Sequence, residues 1–138
     1  MADKILVAYD GSSTSAKVFK TVNKLAAGDK TAQFLFVHVL VNTAGDSMGG
    51  DAYATLAEAS AETLKELEAF ANTLENPHEV RLLRATSAAI AINKCAEEEG
   101  CTLIVIGSRG MSGLRSLLGS VSRLVVQDSN IDVYVCKA

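Results

Sequence analysis

Apolar residues gather in five short runs along the chain: Lys4–Tyr9, Gln33–Leu40, Glu79–Arg84, Thr102–Ile106 and Asp132–Cys136. The first, second and fourth are almost unbroken, as in "KILVAY", "FLFV" and "LIVI". A strand covered on one face alternates apolar with polar, whereas a strand covered on both faces reads as a continuous apolar run. These three runs therefore predict interior strands of a sheet enclosed by helices. The runs "EVRLLR" and "DVYVC" mix polar positions in, which assigns them to the less covered edges.

Between the runs the apolar spacing becomes helical. Ser13–Ala27 carries Ala16, Val18, Phe19, Val22, Leu25 and Ala26, with Ser12 and Ser13 as candidate caps and Gly28 as the stop. Asp51–Leu74 carries Leu56, Ala59, Leu64, Leu67, Phe70 and Leu74 and is closed by Asn76-Pro77. Ser87–Glu99 carries Ala88, Ala91, Ile92, Cys95 and Ala96 and is closed by Gly100. Gly119–Gln127 carries Val121, Leu124 and Val125. The stretch "NTAGDSMGG", Asn42–Gly50, reads as a mobile loop. The order βαβαβαβαβ implies an α/β three-layer sandwich: a mostly parallel five-stranded sheet, helices on both faces, right-handed crossovers.

Composition narrows the field. The chain has 138 residues, enough for one domain spanning 1–138, and 49% are hydrophobic, enough to fill a core. Thirteen basic and 16 acidic residues are interspersed, for a net charge of −3. No basic stripe points to nucleic acid, and no polybasic segment points to anionic lipid. The apolar runs are too short to span a bilayer, and the N-terminus lacks the pattern of a signal peptide. Three cysteines, Cys95, Cys101 and Cys136, show no CxxC spacing. They read as reduced, buried thiols of a cytoplasmic protein rather than as a disulfide framework, a zinc site or a Cys95–Cys101 redox pair.

Candidate chemistry lies after strands one and four. In parallel sheets, ligands bind beyond the carboxyl ends of strands, where the strand order reverses. Strand one ends in "AYDGSS": Asp10 can accept hydrogen bonds from an amine or a ribose hydroxyl, or it can cap the turn into the helix. Strand four runs into "VIGSRGMSGLRSLLGSVSRL". Gly107 and Gly110 permit close approach of a phosphate to the main chain. Gly119-Ser120 opens a helix whose N–H groups favour an anion. Hydroxyls of Ser108, Ser112, Ser116, Ser120 and Ser122, and the cations Arg109, Arg115 and Arg123, surround the same segment. This density points to an anion site. Neither a Walker A loop nor a dinucleotide fingerprint after strand one is present. His38, alone in an apolar strand, reads as a hydrogen-bonded core residue, and His78 follows Pro77 in a turn. No catalytic constellation stands out.

With these residues in place, the chain resembles the universal stress protein family. The resemblance rests on "KILVAYDGSSTSAKVF", "FLFVHVL" and "AEEEGCTLIVIGSRGMSGLRSLLGSVSRLVV", and on the spacing between them. It implies a strand order of 3-2-1-4-5. It also implies ATP or AMP as a bound regulatory ligand, with Mg²⁺ where phosphates are held, and slow hydrolysis at most. Asp10 would contact the nucleotide near adenine and ribose, and the Val39 backbone would contact adenine. Gly107, Ser108, Arg109, Gly110, Gly119, Ser120 and Val121 would form the phosphate-binding segment. The family's last strand commonly pairs with a partner chain, which implies a homodimer through Val133, Tyr134 and Val135.

The sequence departs from the family pattern in three places. ATP-binding members resemble Gly-x2-Gly-x9-Gly-Ser/Thr, whereas here Met111 to Leu118 gives a second gap of eight residues. The stretch "RATSAAI" lacks the usual Gly/Pro turn, and Asn130-Ile131 replaces the usual cysteine–proline start of the last strand. The shortened gap motivates an alternative: a dimer of the same family that binds no nucleotide and acts through protein partners. An enzyme of the related adenine-nucleotide α-hydrolase architecture, or a flavin carrier, ranks third. "AYDGSSTS" only partly echoes an adenylating enzyme's pyrophosphate loop.

Overall fold

The computed structural model describes residues 3–12, 15–41, 50–108 and 119–137, without the side chains of 15–16 and 50–56. Five strands form one sheet: β1 (Lys4–Ala8), β2 (Gln33–Val41), β3 (His78–Ala85), β4 (Leu103–Gly107) and β5 (Asp132–Cys136). All neighbours are parallel, in the order β3-β2-β1-β4-β5. Four helices connect them: α1 (Ser15–Gly28), α2 (Gly50–Ala71), α3 (Ala88–Glu98) and α4 (Ser120–Asp128).

The unbroken apolar runs are explained by two cores, one on each face. Successive side chains of a strand point to opposite sides. Ile5, Val7 and Tyr9 join Phe34, Phe36, Val18, Val22, Leu67 and Ala71 on the face covered by α1 and α2. Leu6 and Ala8 join Leu35, Val37, Ala89, Ile92, Ala96, Ile104 and Val125 on the face covered by α3 and α4. Leu6 lies between Leu35 and Ile104, so the centre of the sheet is sealed sideways as well. β3 and β5 are the edges, exposed or half-buried at every position except Cys136, as their mixed composition implies.

The helix boundaries follow local chemistry. The Ser87 hydroxyl caps α3 by accepting from the Ile90 N–H at 3.3 Å. Its far end is a Schellman turn: Gly100 has φ +70°, Cys101 N–H reaches Ala96 O at 2.9 Å, and Gly100 N–H reaches Glu97 O at 3.2 Å. α2 ends at Ala71, three residues earlier than the periodicity suggests, and Leu74 packs against the core from the turn that follows. Asn76 then locks that turn, its amide donating to the carbonyls of Asp29 and Ala32, both at 3.0 Å. Ser13, Asn42–Gly49 and Arg109–Leu118 lie outside the described residues, and so does the loop reading of that second stretch.

Candidate functional site

β1 stands where the chain order turns back, with β2 on one side and β4 on the other. Beyond the carboxyl ends of these strands lies a cleft of about 380 Å³. That volume is within the usual range of small-molecule sites. Ala8, Val37, Val39 and Ile106 from the strand ends, with Ala88 and Ile92 from α3, give it an apolar slot. Tyr9, Asp10, His38, Gly107, Gly119, Ser120, Val121 and Ser122 complete the described lining. Asp10 is the one charged side chain among these described residues.

Each polar part is set by its own element. Past β1, the Asp10 carboxylate accepts from the Ser12 N–H at 2.9 Å, closing a tight turn in which Gly11 has φ +79°. The capping role open to Asp10 is thus realised by one carboxylate oxygen, on a residue that also faces the cleft. A side chain at Gly11 would place its Cβ 2.8 Å from Thr63 Oγ1 of α2, so this turn admits glycine for space as well as for backbone angle. On β2, His38 is buried with both ring nitrogens bonded: Nδ1 at 3.0 Å from the Tyr9 carbonyl and Nε2 at 3.1 Å from Ser60 Oγ.

The β4–α4 side is built around Ser108. Its N–H donates to Cys136 O at 2.8 Å, and its carbonyl accepts from Gly119 N–H at 2.6 Å and from Ser122 Oγ–H at 3.0 Å. The segment that leaves at Ser108 therefore returns to it at Gly119, and α4 begins beside the cleft. Gly119 caps α4 without a side-chain hydrogen bond. The opening N–H groups of such a helix attract anions when a ligand is present.

Of the residues singled out in the sequence, Asp10, Val39, Gly107, Gly119, Ser120 and Val121 come together at the cleft. Ser108 lies beside it, buried, tying β4 to β5 and α4 through its main chain, and is not among the lining residues. Arg109 and Gly110 are outside the described residues, and Arg123 is not among the lining residues. The α3 wall, Ala88 and Ile92, carried no distinctive sequence signal. Among the described residues, no group of three or more His, Cys, Asp or Glu converges as a metal site. No helix among them is long and apolar enough to cross a membrane. The three thiols are free and buried. Desolvation raises all three, Cys101 to about 11, an environment opposite to that of a reactive cysteine.

Comparison with known proteins gives the same picture. The sequence model of the universal stress protein family matches residues 1–137. Universal stress protein YxiE of Bacillus subtilis is 36% identical over 151 residues, covering 99% of this chain and all of that protein. Among solved structures, hypothetical protein MJ0577 superposes with a TM-score of 0.85 at 24% identity, covering 100% of this chain and 97% of the other. A universal stress protein in complex with cAMP gives 0.72 at 23% identity, covering 96% and 95%. The Archaeoglobus fulgidus protein in complex with dAMP gives 0.69 at 22%, covering 99% and 98%. With the parallel sheet and the switch-point cleft already in place, these matches settle the lineage: the chain belongs to the universal stress protein family.

Proposed function

We propose that the chain, acting as one domain, binds an adenine nucleotide, ATP or AMP, in the cleft above β1 and β4 as a regulatory ligand. The observation that carries this reading is the cleft's division of labour. An apolar slot of Val37, Val39, Ala88, Ile92 and Ile106 suits a planar base. Asp10 borders it as an acceptor for ribose hydroxyls. Gly107, Gly119, Ser120 and Val121 offer main chain and a helix N-terminus toward phosphates. The cAMP and dAMP complexes of structural neighbours support the same ligand class. Arg109 and Gly110 complete the phosphate segment in this reading. Mg²⁺ would enter with the phosphates, since it is commonly held by phosphate oxygens, waters and one or two carboxylates.

The described lining offers a single carboxylate and no free imidazole nitrogen, which favours retention of the nucleotide over its rapid hydrolysis. Turnover is expected below about 1 s⁻¹, the low end for kinases. The protein pairs as a homodimer along β5 through Val133, Tyr134 and Val135, supported by Tyr134 standing 46% exposed on an edge strand. It works in the cytoplasm, where thiols stay reduced. Light scattering at a monomer's mass would remove the dimer.

The test is mass spectrometry of small molecules released on denaturing freshly purified protein, with calorimetric titration of ATP–Mg²⁺ beside it. Recovered adenine nucleotide or micromolar binding is the expected result. No nucleotide and no binding heat at several temperatures would favour the second reading, a dimer acting through protein partners. The eight-residue spacing between Gly110 and Gly119 motivates that reading.

A further inference from the structure

His38 reads in the sequence as a core histidine, and its burial agrees, yet the residue is also part of the cleft lining. The hydrogen bonds fix its chemistry. A carbonyl oxygen only accepts, so the bond to Tyr9 O requires Nδ1 to carry the proton. In the neutral ring, Nε2 then carries the lone pair and accepts from the Ser60 hydroxyl. Neither nitrogen is left for a ligand, a metal or a transferred proton.

What the ring does hold is the end of β1. Tyr9 follows the last ladder residue, Ala8. Its N–H is bonded to Val37 O at 3.0 Å, and its carbonyl receives the His38 Nδ1–H. β2 thus grips Tyr9 twice, through the Val37 carbonyl and through the His38 ring, one residue before Asp10. α2 supports the same turn from a single stripe of residues spaced three apart. Ser60 bonds His38, Thr63 abuts Gly11, and Glu66 Oε2 accepts from the Tyr9 hydroxyl at 2.6 Å. Residues three apart in a helix share a face.

The geometry points to His38 as a positioning residue of the cleft: as the Nδ1–H tautomer, braced by Ser60, it holds the Tyr9 carbonyl and so sets where Asp10 meets a ligand. The effect on affinity rests on the nucleotide reading above; the effect on the turn does not. Rigid pre-placement of a contacting group lowers the ordering cost of binding.

The test separates the donor at Nδ1 from the ring's bulk. His38→Leu removes both hydrogen bonds. In His38→Asn, a carboxamide nitrogen falls near the Nδ1 position and restores a donor toward Tyr9. Affinity for ATP–Mg²⁺ is expected to fall at least about tenfold in the leucine variant and to return to within about threefold in the asparagine variant. Ser60→Ala, which keeps the ring, is expected to cost about threefold, and it serves if the leucine variant does not fold. Leucine and asparagine variants that bind alike, or a serine variant as tight as the parent where it stands in, would overturn the assignment.

Two readouts need no nucleotide. Nitrogen NMR of the ligand-free parent at about pH 8, where free imidazole is neutral, should show protonated Nδ1 and unprotonated Nε2. Amide exchange at Ser12 should accelerate in His38→Leu and recover in His38→Asn. If the parent binds no nucleotide, the nucleotide reading fails while these two results still decide the role of His38. The opposite tautomer, or unchanged Ser12 exchange, would sink it.

Discussion

At the amino ends of the strands, ion pairs and main-chain clasps tie the elements to one another; at the carboxyl ends, polar groups hold turning main chain around an opening. The amino end is laced with ion pairs. Glu99, the cap residue of α3, receives Lys4 of β1 at 3.2 Å and Arg81 of β3 at 3.3 Å, and Arg81 also meets Glu79 at 2.6 Å. Asn76 ties two carbonyls, Gln33 N–H reaches Asp3 O at 2.8 Å, and Thr102 N–H reaches Lys4 O at 2.8 Å. Across the sheet, Asp10, His38, Ser108 and Gly119 engage backbone that turns sharply or leaves the sheet. In the proposed reading, one end contributes stability and the other the ligand chemistry. The ends can therefore be perturbed separately, except through the strands that join them.

The largest effect is expected where they cannot be separated. Phe36 is fully buried mid-strand in β2, between Val7 and Val80 in the ladder, with Phe70 of α2 edge-on at 6.0 Å. β2 begins at Gln33 in the laced end and carries His38 and Val39 at the cleft. Phe36→Ala should cost about 3–5 kcal/mol, as aromatic truncations in cores do, and should weaken nucleotide binding too. Urea denaturation measures the loss; less than about 1 kcal/mol would mean that the centre of the sheet relaxes around the missing ring.

Next comes a change confined to the amino end. Asn76 is buried, and its amide serves the carbonyls of Asp29 and Ala32. Asn76→Ala removes both bonds and should cost about 1–3 kcal/mol, with nucleotide affinity unchanged. A parallel loss of affinity would show that the two ends communicate.

The laced end also shows what the sequence withholds. Strand identities, edge positions and the closing of α3 at Gly100 are legible because periodicity and backbone preference act locally. The Asn76-Pro77 pair announces a turn, but nothing local says that Asn76 clasps residues more than forty positions earlier. The cleft divides in the same way. Asp10, Gly107, Gly119 and Ser120 stand out by residue type at strand and helix ends. Ser108 looks like their equal in the sequence, yet its neighbours Cys136 and Ser122 turn its main chain into an anchor. His38 has apolar neighbours in the chain, and its cleft position and Ser60 partner exist only after α2 has packed.

At the carboxyl end, Asp10→Asn separates the turn from the ligand. The amide keeps an oxygen to accept from Ser12 N–H, while the carboxylate's charge and second acceptor are lost. Affinity for adenine nucleotide should fall about tenfold, close to 1.4 kcal/mol, with the melting temperature unchanged. A variant that binds as tightly as the parent would return Asp10 to a purely structural role.

The smallest effect belongs to Glu99, and it is visible only in acid. Hydrogen bonds from Arg81, then from Lys4, hold its carboxyl below the usual range. A depressed carboxylate gives stability that is present above its unfolded value and is lost as pH falls through its folded value. Between about pH 5 and pH 3, the parent should therefore lose stability more steeply than Glu99→Gln. The two acid limbs should converge at the low end, where both side chains are neutral. Pairs this open to solvent are individually weak, so the readout is the slope of stability against pH rather than its value at pH 7. Nucleotide affinity at neutral pH should be the same in both proteins, because Glu99 lies at the opposite end of the strands from the cleft. Superimposable acid limbs would mean that the Lys4–Glu99–Arg81 lacing adds nothing measurable, leaving Asn76 and the cores to hold the amino end.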